Sequence, residues 1–310
     1  MNAATPDMEK ELFFSIIIPA YNRAHMIIET LETTFLQTYP HYEVIVVDDG
    51  STDNTEEVVK AITNPKFRYH KKTNEERAVA RNTGFNLAKG DYVTLLDSDD
   101  FLYPTHLEEA AKYIKANKNP EVIRFDFDVV DSDKKVLQVA AMPDNLNEKM
   151  IHGNYMGCSG IILKREVAVR YQFNGDRDLS GSEDYELWMR LAARFPIHTP
   201  KKVTCSLHSH EERSVIFNIK QGPLVTRKDL LIKYAFADKV VNKIYGKKRH
   251  QFISNSLLYV SLHLAIARIN KASLQYLLRA LSYNPLAVFD RRFFGIIKTL
   301  LKRNILASFG

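Results

Sequence analysis

The residues best able to do chemistry in this 310-residue chain are acids that directly follow short apolar runs. Asp97 and Asp99 flank Ser98 after Tyr92-Val93-Thr94-Leu95-Leu96, so two carboxylates one residue apart leave the end of a strand-like segment. Such a pair can grip a divalent cation and a ribose together, since Mg²⁺ and Mn²⁺ hold nucleotide phosphates through only one or two protein carboxylates. Asp and Ser also build turns ahead of a helix, here one starting near Pro104, and the pair by itself leaves both readings open. Asp48 and Asp49 end the run Val44-Ile45-Val46-Val47, where a carboxylate would accept from a base imide N–H or from sugar hydroxyls. Ser51 and Asp53 read instead as turn and helix-cap residues. Tyr21 offers a ring on which a base would stack. Glu183 and Asp184 open a helical pattern after Ser180-Gly181-Ser182, where first-turn acids are favoured by the helix dipole. His208 and His210 alternate, so on a strand both imidazoles share one face, as a metal site or a solvated loop would have them.

Positioning these groups requires strands that end where the acids begin. Phe13 to Ile18, closed by Pro19, reads as a buried strand, followed by a helix over Ile27 to Gln37. Tyr42 to Val47 is a second strand, Thr52 to Ile62 a second helix, Phe67 to His70 a short strand, Glu76 to Leu87 a helix stopped by Lys89-Gly90, and Tyr92 to Leu96 a strand. Strands alternating with helices predict a parallel sheet covered on both faces, with ligands beyond its carboxyl ends. A helix over 105–117 and strands over 121–130 and 159–165 follow, the sheet pattern fades after Pro200, and helices fill the chain from Leu224, with breaks at Gly246-Lys247-Lys248 and Asn284-Pro285.

Charge divides the chain. Residues 1–217 carry a net −8 and residues 218–310 a net +14, with Asp229, Asp238 and Asp290 the only acids of the second part. The acidic part suits a cation site and the basic part an anionic surface. Two cysteines, Cys158 and Cys205, exclude a disulfide framework and a cysteine zinc site, and both read as buried thiols. Met1 to Glu11 lacks a leader layout, which predicts a cytoplasmic protein, and Phe252 to Ala267 is too short and too polar to span a bilayer. The chain contains no G-x-G-x-x-G, no P-loop, no H-E-x-x-H and no G-x-S-x-G, which removes dinucleotide oxidoreductases, P-loop ATPases, zincins and serine hydrolases of that type. No nucleic-acid recognition motif accompanies the basic tail.

Four segments in order, Ser15-Ile16-Ile17-Ile18-Pro19-Ala20-Tyr21-Asn22-Arg23, Val46-Val47-Asp48-Asp49-Gly50-Ser51-Thr52-Asp53, Ala80-Arg81-Asn82-Thr83-Gly84 and Leu95-Leu96-Asp97-Ser98-Asp99-Asp100, resemble the successive motifs of family 2 inverting glycosyltransferases of the bacterial polysaccharide type. Gly181-Ser182-Glu183-Asp184 extends the resemblance, which thins beyond residue 217. It implies a GT-A fold, that is, a Rossmann-like, mostly parallel sheet flanked by helices, as a catalytic domain over 1–217, with a helical, basic region over 218–310. It also implies a nucleoside diphosphate sugar as donor, most naturally a UDP-sugar, a glycan or polyprenyl-linked acceptor, and Mn²⁺ or Mg²⁺ as cofactor. By the same resemblance Pro19, Ala20, Tyr21 and Asn22 line the nucleoside pocket with Asp48 and Asp49, Arg81 supports the donor, Asp97 and Ser98 lie at the ribose side, and Asp99 meets the metal. Asp184 would be the general base, oriented by Glu183. The family often places a histidine shortly before a serine near the diphosphate; His210 fits this better than His208, although its distance from Ser214 is longer than usual.

Two rivals share these features: a non-catalytic nucleotide-sugar-binding or membrane-scaffold protein of the same fold, and a nucleotidyltransferase, for which no triphosphate loop is visible. In the tail, Phe289, Phe293, Ile296, Ile297, Leu300 and Leu301 form an apolar stripe at helical spacing, with Arg291, Lys298 and Lys302 on the opposite face. Through residues 288–310 this helix would lie on an anionic membrane at the inner face of the cell, or the stripe would pack onto the rest of the tail.

Overall fold

Runs of β-branched residues build the central layer of the computed structural model, which describes residues 11–210 and 220–307. Strands β1 (Phe14–Ala20), β2 (Tyr42–Asp48), β3 (Phe67–Lys71) and β4 (Tyr92–Leu95) alternate with helices α1 (Ile27–Phe35), α2 (Thr55–Lys60) and α3 (Arg77–Leu87). They continue into β5 (Phe101–Leu102), α4 (His106–Ala116), β6 (Val122–Arg124), β7 (Asp126–Val130), β8 (Val136–Ala140), α5 (Leu146–Lys149), β9 (Ile161–Lys164), α6 (Arg165–Arg170), α7 (Glu183–Ala192), β10 (Ile197–His198) and β11 (Val203–His208). The large sheet has the order β10-β6-β9-β4-β1-β2-β3, parallel except for β9, which runs against both β4 and β6. A smaller sheet, β5-β11-β7-β8, stands at the carboxyl ends of these strands.

Both faces of the large sheet are covered, as the uninterrupted apolar strands require. Ile16 and Ile18 pack with Ile27 and Leu31 of α1 and Leu107 and Ile114 of α4, while Ile17 and Ile45 face Ala80 and Phe85 of α3. Helix α3 lies so close to β1 that a Cβ on Gly84 would come within 2.2 Å of Ile17 Cγ2, so glycine is required there.

Several boundaries differ from those the sequence suggests. Pro19 does not close β1 but lies inside it, opposite Val47. Ile17 accepts from Leu96 on the β4 side, and Pro19 faces the same side one step beyond the last β4 pairing, so its missing N–H costs no ladder bond. The second helix is shortened at its start because Asp53 folds residues 52–54 into a turn, its carboxylate accepting from Thr55 N at 3.0 Å and Thr55 Oγ1 at 2.5 Å. The run 121–130 is two strands that serve different sheets, hinged at buried Phe125. Strand β11 lies where the sheet pattern fades in the sequence: its buried Thr204 and Ser206 weaken the apolar signal, and Thr204 Oγ1 pairs with His106 Nδ1 at 2.9 Å.

The last part is helical: α8 (Gln221–Ala237), α9 (Lys239–Tyr245), α10 (Arg249–Ile266), α11 (Asn270–Tyr283) and α12 (Arg291–Ala307). Leu231, Ala235 and Phe236 of α8 and Phe252 of α10 share one apolar cluster with Leu187, Trp188 and Leu191 of α7, and Arg194 holds Asp238 through two contacts of 2.8 and 3.0 Å. The expected apolar stripe of α12 is mostly interior. Ile296 is fully buried, and Phe293, Ile297 and Leu300 pack on Leu257 and Leu258 of α10, because their spacing turns them toward that helix. Phe289 and Leu301 stay outside. No helix among the described residues is long and apolar enough to cross a membrane. The boundary read at residue 217, the start of the chain through residue 10, Ser214 and the Lys302 side chain lie outside what the structure describes.

Candidate functional site

Strand β1 leads to β2 on one side and neighbours β4 on the other, so their carboxyl ends part and leave a crevice. A cavity of about 530 Å³ occupies it, a size that accepts a nucleotide-sized ligand. Its walls include Pro19, Ala20, Tyr21, Asp49, Arg81, Asp97, Ser98, Asp99, Glu183 and Asp184.

At one end, Tyr21 projects from the tip of β1 with 46% of its surface exposed, a ring open to stacking. Asp49 is held by Lys72 Nζ at 2.9 Å, the Glu75 backbone N–H at 3.0 Å and Asn74 Nδ2 at 3.2 Å. Asp48 and Asn22 do not reach the cavity. The Asp48 carboxylate is buried and accepts from Ser51 N at 2.7 Å and Tyr69 Oη at 2.6 Å, while Asn22, at φ +52°, accepts from Thr52 N at 2.8 Å and shapes the turn. Both shape the loops from behind, since adjacent residues leaving a strand point to opposite faces and Asp49 takes the cavity side.

In the middle lies the Asp97-Ser98-Asp99 turn. It is fixed by Asp100, which is fully buried and accepts from Ser159 Oγ at 2.6 Å and from the His208 N–H at 3.0 Å, tying β4 to β11. That tie carries His210 to Asp99: Nε2 lies 3.0 Å from Oδ2, and both side chains are largely buried. His208 lies beside His210, its ring 5.2 Å from that of His210 and 5.5 Å from Phe101, so the alternating imidazoles do share one face. His210 Nδ1 is buried without a hydrogen-bond partner among the described residues. At the 3.0 Å separation Asp99 and His210 hydrogen-bond to each other; ligands about 2.1 Å from an octahedral ion and adjacent to each other would also stand about 3 Å apart, and a carboxylate with an imidazole suits Mn²⁺ better than Mg²⁺, which takes oxygen ligands. No group of three potential ligands occurs among the described residues, and the pair matches the one or two protein ligands such ions use beside phosphates.

At the other end, α7 begins under the cavity. Glu183 Oε1 accepts from Arg81 Nη1 at 2.9 Å and Oε2 from the Gly181 N–H at 2.6 Å, with Arg77 3.9 Å away. Asp184 Oδ2 accepts from Asn154 Nδ2 at 2.7 Å and Oδ1 from the Tyr185 N–H at 2.7 Å. These adjacent acids are driven apart. Burial presses the Glu183 pKa upward, but Arg77, Arg81 and the Gly181 N–H outweigh it and hold the carboxyl below its usual range. For Asp184 burial dominates, the Glu183 charge adds to it, and the pKa rises. Arg81 also reaches Asp97 Oδ1 at 2.8 Å, so one buried guanidinium joins the middle of the cavity to the acid pair. Ser182 occupies the cap position of α7, yet its hydroxyl makes no cap; it accepts from Lys228 Nζ of α8 at 2.8 Å.

Sequence reasoning missed Asn154, Asp100, Arg77 and Lys228. Asp100 stands in the quoted motif as a third acid. Asn154 and Lys228 carry no local pattern, for their partners lie 30 and 46 residues away.

Acids are gathered at the carboxyl edge of an α/β sheet, around a cavity placed where open sheets of this kind bind ligands. Residues 15–168 match the Glycosyl transferase family 2 model. The chain is 30% identical over 184 residues to the UDP-Glc:alpha-D-GlcNAc-diphosphoundecaprenol beta-1,3-glucosyltransferase WfaP of Escherichia coli, spanning 58% of this chain and 70% of that protein. The amylovoran biosynthesis glycosyltransferase AmsB of Erwinia amylovora is 29% identical, over 79% of this chain and 89% of its own. An uncharacterized glycosyltransferase of Rickettsia felis is 31% identical over 64% of this chain, which spans only 34% of that longer protein. The chain belongs to glycosyltransferase family 2. Its fold is GT-A: S. aureus TarS in complex with UDP-GlcNAc superimposes with a TM-score of 0.59 at 18% identity, covering 90% of this chain and 93% of that one. The mannosyltransferase PcManGT of Pyrobaculum calidifontis, in complex with GDP-Man and Mn²⁺, gives 0.59 at 22% identity over 96% and 88%.

Proposed function

We propose that the protein transfers a sugar from a UDP-sugar to a hydroxyl of a polyprenyl-linked glycan, with inversion at the anomeric carbon, in bacterial surface polysaccharide synthesis at the inner face of the cell membrane. In this reading residues 1–217 are the catalytic domain and 218–310 a helical region joined to it. The observation that carries it is the split between Glu183 and Asp184 in a cavity whose middle holds Asp97 and Asp99. WfaP, by its name, uses UDP-Glc and a diphosphoundecaprenol acceptor, which supports both the donor and the acceptor class.

Asp49 and Tyr21 would receive the base, and Asp97 the ribose side. Asp99 and His210 would hold Mn²⁺ or Mg²⁺, which when bound neutralises charge on the departing diphosphate. Glu183 has both oxygens engaged and its charge fixed by arginines, so it cannot serve as proton acceptor. Asp184, with its pKa raised, takes the acceptor proton as the hydroxyl oxygen attacks the anomeric carbon and the bond to the diphosphate breaks on the opposite face. One displacement gives one inversion. Asn154 orients the carboxylate by its contact to Oδ2.

The test is Asp184→Asn. Turnover of a UDP-sugar should fall by about two to four orders of magnitude while UDP affinity by calorimetry stays within about twofold, because proton removal counts in the transition state and little in the ground state. Turnover retained within about tenfold would remove Asp184 from this role.

A further inference from the structure

Helix α12 leaves one face uncovered among the described residues. On α12 the buried line runs through Ile296, and the opposite line exposes Arg291, Phe294, Lys298 and Leu301, spaced three or four residues apart. Phe294 is 60% and Leu301 55% exposed. The short 3₁₀ turn before it, Pro285–Phe289, adds Leu286 at 70% and Phe289 at 77%. Large apolar side chains at these exposures are normal when scattered, but here four of them lie within 16 residues and alternate with cations. Asp290, the only acid from Leu230 onward apart from Asp238, is neutralised by Arg292, whose Nη2 donates to it at 2.7 Å.

We propose that this face, Leu286 and Phe289 with Arg291, Phe294, Lys298 and Leu301, is a docking surface for an anionic lipid bilayer. The occupant follows from the chemistry of the row. Single aromatic and aliphatic side chains separated by Lys and Arg match an interface in which rings enter the headgroup region while cations meet phosphates. A second copy of the chain would set cations of the same line against each other, in a region whose net charge is +14. The surface shares only Phe289 and Leu301 with the stripe legible in the sequence, whose other four residues are spent on the contact with α10. It deepens the reading of a polyprenyl-linked acceptor, and it is tested by lipid binding alone, so that its failure leaves the transfer reaction standing.

The experiment is co-sedimentation of the full chain with vesicles of phosphatidylcholine alone or containing about 30% phosphatidylglycerol, at about 0.05 M and about 0.5 M salt. Binding is expected to the anionic vesicles at low salt, with release at high salt and little binding to phosphatidylcholine. The double substitution Phe289→Ser/Phe294→Ser should weaken partitioning by at least about tenfold, and Arg291→Glu/Lys298→Glu should abolish it at low salt. Both variants change exposed side chains, so their melting temperatures and UDP affinities should match the parent. The proposal is overturned if the parent ignores anionic vesicles at low salt, or if either variant binds them as the parent does. It is equally overturned if Phe289→Ser/Phe294→Ser converts a dimer to a monomer by sedimentation velocity without changing vesicle binding, which would give this face to a second copy.

Discussion

Arg81 is the place where removing one side chain should disturb both ends of the cavity. Its guanidinium is fully buried and contacts Glu183 at 2.9 Å and Asp97 at 2.8 Å, and Glu183 is itself almost inaccessible. Arg81→Met keeps the stem volume but leaves Glu183 as a buried carboxylate short of one donor. Removing one partner of a buried pair costs about 3–5 kcal/mol; the Asp97 contact adds little, because that carboxylate is a third exposed and screened. At about 2 °C per kcal/mol for a chain of this size, the melting temperature should fall by about 6–10 °C. Adding Glu183→Gln removes the stranded charge and keeps an acceptor for Gly181, so the double variant should recover a large part of the loss. Arg81 also lowers the pKa values of Glu183 and Asp184, so in its absence both rise. The proposed base acts deprotonated, so the acid limb of the kcat/KM profile should move to higher pH. Scanning calorimetry of the three proteins and a pH profile of Arg81→Met check this. A melting temperature within about 2 °C of the parent, or a double variant no better than the single, would refute the reasoning.

Asp99→Asn and His210→Ala should each lower UDP affinity and remove its dependence on Mn²⁺ in titration calorimetry, whereas Mn²⁺-dependent binding that survives in both would take the ion away from this pair. Lys228 is buried over the Tyr259 ring at 4.3 Å, and burial draws its pKa down to about 8. A lysine depressed in the folded state gains relative stability as pH rises from that value toward its ordinary 10.5, since the unfolded chain then binds the extra proton. Melting curves of the parent minus those of Lys228→Met should therefore climb between about pH 8 and pH 10, and a flat difference would show the amine to be solvated.

What the sequence discloses here is what is local. The acids at 48–49 and 97–99 stand next to the β-branched runs that end beneath them, so a strand, its carboxyl end and the acid are legible within ten residues. The split between Asp48 and Asp49 is not legible in the same way, because it depends on Tyr69 of a neighbouring strand capturing one carboxylate. Strand β9 reads as a strand but not as an antiparallel one, for nothing in Ile161–Lys164 records that its neighbours β4 and β6 run the other way. The same limit governs α12. A stripe at helical spacing fixes which side chains share a face, and the choice of which face is covered is made by Leu257, Leu258 and Leu262 of α10, about forty residues earlier.

The pair Glu183-Asp184 shows why position relative to a distant arginine matters more than residue type. Both are carboxylates in the first turn of α7 and feel the same helix dipole, which lowers both pKa values and cannot separate them. Separation comes from α3, whose Arg77 and Arg81 lie against Glu183, while Asp184 hydrogen-bonds only to the neutral amide of Asn154 and one backbone N–H, and the pull of Arg81 on it is outweighed by burial and by the Glu183 charge. Once Glu183 is fixed as an anion, its charge becomes part of the field that raises Asp184. Arg81 also contacts Asp97, so the charge that fixes Glu183 as an anion is shared with the middle of the cavity, and the acid pair owes its asymmetry to one side chain of α3 rather than to its own helix.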